Sequence, residues 1–111
     1  MNITSTPVSV SGLRLLIQSG KQEIAHAFLY FLKNNLHDQP LAYLEDVFVN
    51  EMFRGQGFGR KIVERAIAEA KKAQCYKVVA TSRFSNETAQ SLYTSCGFEK
   101  HSHGFRLNLG F

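Results

Sequence analysis

What this sequence lacks narrows it before any motif is read. Its longest unbroken apolar run is the six residues from Ala27 to Leu32, against the roughly 18 that a helix needs to cross a bilayer. Met1 to Val10 has no basic start leading into an apolar stretch, which is the pattern of a secretory leader. No membrane association is expected, and the chain reads as cytoplasmic. There are only two cysteines, Cys75 and Cys96, too few for a disulfide framework or a four-ligand zinc site, so reduced thiols are the expectation. Nor is there a large excess of one charge. Thirteen Lys and Arg against nine Asp and Glu leave a net +4, too small and too scattered for a nucleic-acid surface but compatible with a small anionic ligand. Internal repeats, linkers and low-complexity stretches are absent as well.

What is present is the composition of a packed domain. A hydrophobic share of 44%, a charged share of 20% and nine Phe with four Tyr argue against disorder or a fibrous repeat. A chain of 111 residues is expected to form one domain, burying roughly two-thirds of its surface on folding. Leu13, Leu15 and Ile17 alternate onto one side, Ser19 to Gln22 is polar, and apolar residues resume from Ile24 to Leu32, so a hairpin is expected. Its second strand is apolar on both faces and belongs inside the sheet. After a loop from Asn34 to Pro40, Ala42 to Val49 reads as another strand. From Gly57 to Gln74 the apolar positions Phe58, Ile62, Val63, Ala66, Ile67 and Ala70 recur at helical spacing, with Arg60/Glu64 and Arg65/Glu69 four apart. Lys77 to Thr81 follows as a β-branched strand, and strand, helix and strand in succession make a right-handed crossover between parallel neighbours. Asn86 offers an N-cap, Ala89, Leu92, Tyr93 and Cys96 form a second helical stripe, and Gly97 supplies the stop. Phe105, Leu107, Leu109 and Phe111 alternate with Gly104, Arg106, Asn108 and Gly110, the pattern of a last strand with one buried face.

Four groups of residues have the chemistry for a site. Arg54-Gly55-Gln56-Gly57-Phe58-Gly59-Arg60 joins a strand to the first helix, and three glycines there carry an entropic cost. A bound anion explains them, since the free N–H groups and macrodipole of a helix start attract negative charge; a plain tight turn is the other explanation. The spacing excludes two nucleotide motifs. A triphosphate loop needs Gly-Lys where Arg60 begins, and the dinucleotide pattern meets Arg60 or Ile62 at its third glycine. Glu45 and Asp46 are adjacent in an apolar strand, so alternation sends them to opposite faces. A carboxylate there is either bonded to backbone or Arg, or placed in a cleft where desolvation suits it to act as a base. Tyr93 lies on an apolar stripe, as a core aromatic does, although its hydroxyl has the chemistry to protonate a basic leaving group. His101 and His103 are two apart without a third ligand, and Cys75 and Cys96 have no fixed histidine partner, so neither a metal nor a thiol nucleophile is expected.

Together these residues resemble the GCN5-related N-acetyltransferase family, short GNAT. Its hallmark is Arg/Gln-x-x-Gly-x-Gly/Ala after a buried strand, matched by Arg54-x-x-Gly57-x-Gly59. Its second signature is similar to Asn86-x-x-Ala89-x-x-Leu92-Tyr93 followed by Gly97-Phe98. Leu44-Glu45-Asp46 further resembles the polyamine and diamine branch. The resemblance runs over about residues 24 to 109 and implies an α/β fold: a mixed, mostly antiparallel sheet of five or six strands carrying two helices, splayed into a V beyond Val49. It implies acetyl-coenzyme A as cosubstrate, without a metal. Its pyrophosphate would rest on the amides of Gly55, Gln56, Gly57, Phe58, Gly59 and Arg60, with Arg54 opening the motif. Its pantetheine arm would pair with Val47, Phe48 and Val49, and Asn86 would touch it. Glu45 becomes the base, acting through water on a primary amine of a small molecule or protein, and Tyr93 the acid for the departing thiolate. The reading that stands against an enzyme is a non-catalytic coenzyme A-binding or interaction module. Members of the family generally begin with a strand and helices that wall the acceptor site, whereas about eight residues precede the hairpin in this sequence; a homodimer is expected to cover the exposed surface.

Overall fold

The computed structural model describes residues 1–111. Its first elements are the hairpin, β1 at Val10–Ser19 and β2 at Gln22–Leu32, with Ser19 paired to Gln22. The two-residue turn between them places Gly20 at a positive φ of 58°, as the turns that suit twisted hairpins require. β3 is Leu41–Val49, followed by a single 3-10 turn at Glu51–Phe53. Helix α1 is Phe58–Lys72, β4 is Val78–Ala80 and α2 is Glu87–Ser95. The sheet runs β1-β2-β3-β4, with the first two pairings antiparallel and the last parallel. The mixed, mostly antiparallel sheet and the two helices are as expected, and β2 lies inside. The strand count is four rather than five or six.

The difference is the C-terminal segment. Phe105 to Phe111 forms no strand, and Phe105, Leu107, Leu109 and Phe111 are all exposed. Alternation marks one face of a segment as apolar, but it names no ladder partner. His101 and His103 are exposed in the same stretch, outside any strand.

Helix α1 packs across β1, β2 and β3 on one face of the sheet. It contributes Ile62, Val63, Ala66 and Ala70 to a buried cluster with Ile24, Ala25, Ala27 and Leu29 of β2 and Ala42 and Leu44 of β3. Alanines on both sides let the helix backbone approach the sheet closely. On its wet side Arg60 bonds Glu64 at 2.7 Å and Arg65 bonds Glu69 at 3.0 Å, exposed pairs of the kind worth about 0.3–0.5 kcal/mol each. Asn50 fastens the chain as it leaves β3: its N–H donates to Ile24 O and its side chain caps Met52 N.

Two irregularities set the geometry of the opposite face. Between the pairs Ile17↔Ala25 and Gln18↔Glu23, β2 holds an extra residue, Ile24. Between His26↔Phe48 and Phe28↔Glu45, β3 gains one at Asp46–Val47. Asp46 has a φ of +54°, the left-handed conformation that Asp tolerates better than most side chains. Such bulges bend a strand and increase its twist. The one in β3 also shifts the side-chain phase. Ala42 and Leu44 face the core before it, and Val47 and Val49 pack on the core after it. Simple alternation, which places Glu45 and Asp46 on opposite faces of an apolar sheet, therefore fails here, and both carboxylates are exposed. The face away from α1 carries Tyr30, Phe28 and His26 of β2 beside Tyr43, Glu45 and Phe48 of β3.

Candidate active site

The parallel ladder between β3 and β4 is short. Ala42, Tyr43 and Leu44 pair with Val78, Val79 and Ala80, and pairing ends there, one residue before Glu45 and two before the bulge. From Glu45 to Val49 the edge of β3 that faces β4 has no strand beside it. The splay expected near Val49 thus opens earlier, because the bulge turns β3 away. Tyr43 stands at its origin, with its hydroxyl 3.4 Å from Thr81 Oγ1.

The turn after β3 brings the glycine segment to this opening. Arg54 returns to the strand end by donating from Nε to Val49 O at 2.9 Å, and its guanidinium lies 5.7 Å from the centre of the Phe48 ring. Gly55 and Gly57 have φ of +78° and +85°, and Gly57 caps α1 with no side-chain bond. Gly59 is there for another reason. A Cβ on it would come 3.2 Å from Leu92 Cδ2 and 3.6 Å from Val49 Cγ2, so its hydrogen permits α1, α2 and β3 to meet. The N–H groups from Gly55 to Arg60 donate to no protein acceptor, so this turn and first helical turn carry a row of free donors next to Val49 at the end of β3. That arrangement fits an anion such as a pyrophosphate.

Arg60 is committed elsewhere. Its guanidinium bonds Glu64 and reaches Ser95 at the end of α2, so its part in holding an anion rests on its backbone N–H. Asn86 caps α2 by accepting from Ala89 N at 3.0 Å, which leaves the side-chain NH2 group available to a ligand.

Tyr93 is fixed by the end of α2. Gly97, at φ +98°, donates to Thr94 O at 3.1 Å, and Phe98 donates to Tyr93 O at 3.0 Å. This is the paired Schellman closure, with its usual apolar contact: the Tyr93 and Phe98 rings lie 5.4 Å apart. Tyr93 packs against the core, and burial first, then the neighbouring Tyr43, pushes its phenol up from the ordinary value.

The structure therefore brings the 54–60 turn against Val49 and the Leu92–Ser95 part of α2, with Val47, Val49 and Tyr93 all packed on the core; Asn86 stands at the start of α2. Glu45 stands on the open face, cross-strand from Phe28. Cys75 and Cys96 are free, and burial pushes the Cys75 thiol up, which makes it a poorer nucleophile. No helix is long and apolar enough to cross a membrane. Sequence reasoning missed one polar group, in which Arg14 and His26 meet the Glu23 carboxylate. Glu23 and His26 are three apart, on opposite faces of a regular strand, and only the extra residue Ile24 puts them on one face.

Comparison with known proteins agrees with the fold. Residues 12–98 match the model of the acetyltransferase (GNAT) family, and the chain belongs to that family. A putative acetyltransferase from Agrobacterium tumefaciens superposes with a TM-score of 0.80 at 31% identity, over 86% of this chain and 67% of that one. A probable glucosamine 6-phosphate N-acetyltransferase 2 of Oryza sativa is 36% identical over 58 residues, 52% of this chain and 33% of the relative. An aminoglycoside N(6')-acetyltransferase type 1 of Stenotrophomonas maltophilia is 28% identical over 67 residues, 60% of this chain and 44% of the relative. The chain thus spans a third to under half of these two curated relatives.

A test of the glycine turn separates backbone geometry from charge. Gly57→Val forces a β-branched residue into a left-handed conformation and should abolish coenzyme A binding in isothermal calorimetry, whereas Lys72→Gln, on the exposed end of α1, should bind as wild type does. A folded Gly57→Val protein that keeps its affinity removes the anion from this turn.

Proposed function

We propose that the chain transfers an acetyl group from acetyl-coenzyme A to a primary amine by direct attack. The single observation that carries this is the unpaired edge of β3 from Glu45 to Val49, lying beside a turn of free N–H donors. The edge suits the extended amide-bearing arm of the cosubstrate as an added strand would, and the donors suit its pyrophosphate. Unpaired strand N–H groups also provide hydrogen bonds for negative charge developing on the thioester oxygen. Holding amine and thioester in attack geometry lowers the barrier without a covalent enzyme intermediate.

In this reading Glu45 draws a proton from the acceptor ammonium through a water, and Tyr93 protonates the departing sulfur. A phenol raised by burial keeps its proton through neutral and mildly alkaline pH, so Tyr93 is in its acid form where the enzyme works. The sign is fixed: activity that depends on this proton is lost only as pH rises through the raised value. Acceptors of the kind named for the relatives, glucosamine 6-phosphate and aminoglycosides, belong in the first substrate panel beside a diamine. A second copy of the chain is proposed to cover the open side of the sheet, where Leu16 and Phe48 are exposed. Sedimentation should then give a dimer at micromolar concentration; a strict monomer rules this out.

Turnover in that panel is the primary test, beside calorimetry with coenzyme A. Glu45→Gln should keep cofactor affinity and lower turnover, the loss shrinking at high pH where the amine is already neutral. Tyr93→Phe should bind the cofactor and slow transfer by about 10²- to 10⁴-fold, the usual worth of a general acid. Binding without any turnover in the wild-type chain marks a coenzyme A-binding module instead. If both substitutions lower thermal stability with unchanged catalysis per folded molecule, the two residues are structural.

A further inference from the structure

On the open face, a histidine outside the assignments above is held in a defined orientation. His26 Nδ1 lies 2.9 Å from Glu23 Oε2, and the other oxygen of that carboxylate takes Arg14 of β1. The hydrogen bond to His26, then that to Arg14, holds the Glu23 carboxyl below its ordinary range. An ionised carboxylate on Nδ1 keeps the hydrogen of a neutral ring on that nitrogen and leaves Nε2 as an acceptor. The ring is stacked on Phe48 at 5.3 Å and meets Phe28 edge-on at 5.9 Å. These three rings, with Asp46 and Val47, line a shallow cleft on the bulge of β3. Val47 and Phe48 are also where the cosubstrate arm is proposed to pair, so His26 stands across the strand from the place where acetyl would be presented.

We propose that His26 is a second proton acceptor in the acetyl transfer and that Glu23 is its positioning residue. This rests on the acetyl-transfer reading. An ammonium must shed two protons to become an amide, and Glu45 accounts for one. Once the nitrogen–carbon bond has formed, the nitrogen is again positive. Its second proton leaves to Nε2 of His26 as the carbon–sulfur bond breaks and Tyr93 protonates the sulfur. The imidazolium restores the Tyr93 proton through solvent, and Glu45 releases its own, so each transfer yields one amide, one thiol and one proton. The charged groups around His26 are Glu23 on its own strand, Arg14 on β1, Asp46 on β3 and Arg54, which lies over Phe48.

The experiment compares wild type, His26→Gln and Glu23→Gln in acetyl transfer to the amine turned over fastest among glucosamine 6-phosphate, kanamycin and spermidine. Rates are followed across pH, with calorimetric coenzyme A binding alongside. His26→Gln should lower kcat by about 10²-fold and leave coenzyme A affinity unchanged. Glu23→Gln should lower kcat with KM and coenzyme A affinity unchanged, and should let the neutral His26 ring populate both tautomers, because the carboxylate that holds hydrogen on Nδ1 is gone. In the wild-type protein, nitrogen NMR of the neutral His26 ring should place its hydrogen on Nδ1, a readout that needs no variant to fold. An undiminished kcat in His26→Gln, an undiminished kcat in Glu23→Gln, or hydrogen on Nε2 of the wild-type ring overturns the role while acetyl transfer itself stands. A wild-type chain that transfers no acetyl to any amine overturns the reading of function, and this role with it.

Discussion

One extra residue in β3 governs the rest of the site. Asp46, at φ +54°, inserts into a strand that is paired on both sides up to Leu44. A left-handed conformation costs a non-glycine residue of the order of 1–2 kcal/mol, and here the surrounding pairs hold it. Before the bulge β3 is an ordinary inner strand. After it the strand has no partner on the β4 side and changes which of its side chains meet the core. An unpaired edge is a liability in a soluble sheet, and it is also the feature that suits an extended ligand with amides of its own.

The other parts of the site are positioned against that opening by independent local rules. Gly55 and Gly57, both at positive φ, shape the turn that leads from β3 into α1. Gly59 lets α1 close on Leu92 of α2 and Val49 of β3. Arg60 then joins the start of α1 to the end of α2 through Ser95, and the Schellman closure at Gly97 fixes Tyr93 against Phe98. A second bulge, at Ile24, carries Glu23 to the side of His26. Positions that break the regular pattern of strand or helix are where the candidate chemistry collects.

This explains how much was legible in the sequence. The hairpin, the inner position of β2, the crossover through α1 and both ends of α2 follow from periodicity and capping residues, and the structure has them. The glycine motif and the Asn86 to Phe98 signature named the candidate site residues without any knowledge of distances. Period-two reasoning went wrong at Glu45 and Asp46, because one residue of bulge inverts every later position and Asp announces a left-handed conformation only weakly. It was misled again at Phe105 to Phe111, where alternation describes a face and not a partner. Glu23 and His26 were invisible for the same reason as Asp46: their meeting depends on Ile24 being an extra residue. The purpose of Gly59 was not legible: a bound anion was offered for all three glycines, whereas its hydrogen makes room for Leu92 and Val49.

The central claim is that the edge of β3 opened by Asp46 and the donors from Gly55 to Arg60 form one cofactor site. It is tested most directly by recording backbone amide NMR spectra during titration with coenzyme A. The account expects the amides of Val47 to Val49 and of Gly55 to Arg60 to shift along a single saturation curve, joined by Asn86, while Phe105 to Phe111 stays still. Saturable binding that leaves Val47 to Val49 unmoved, or that moves the strand edge and the glycine turn with different affinities, contradicts it.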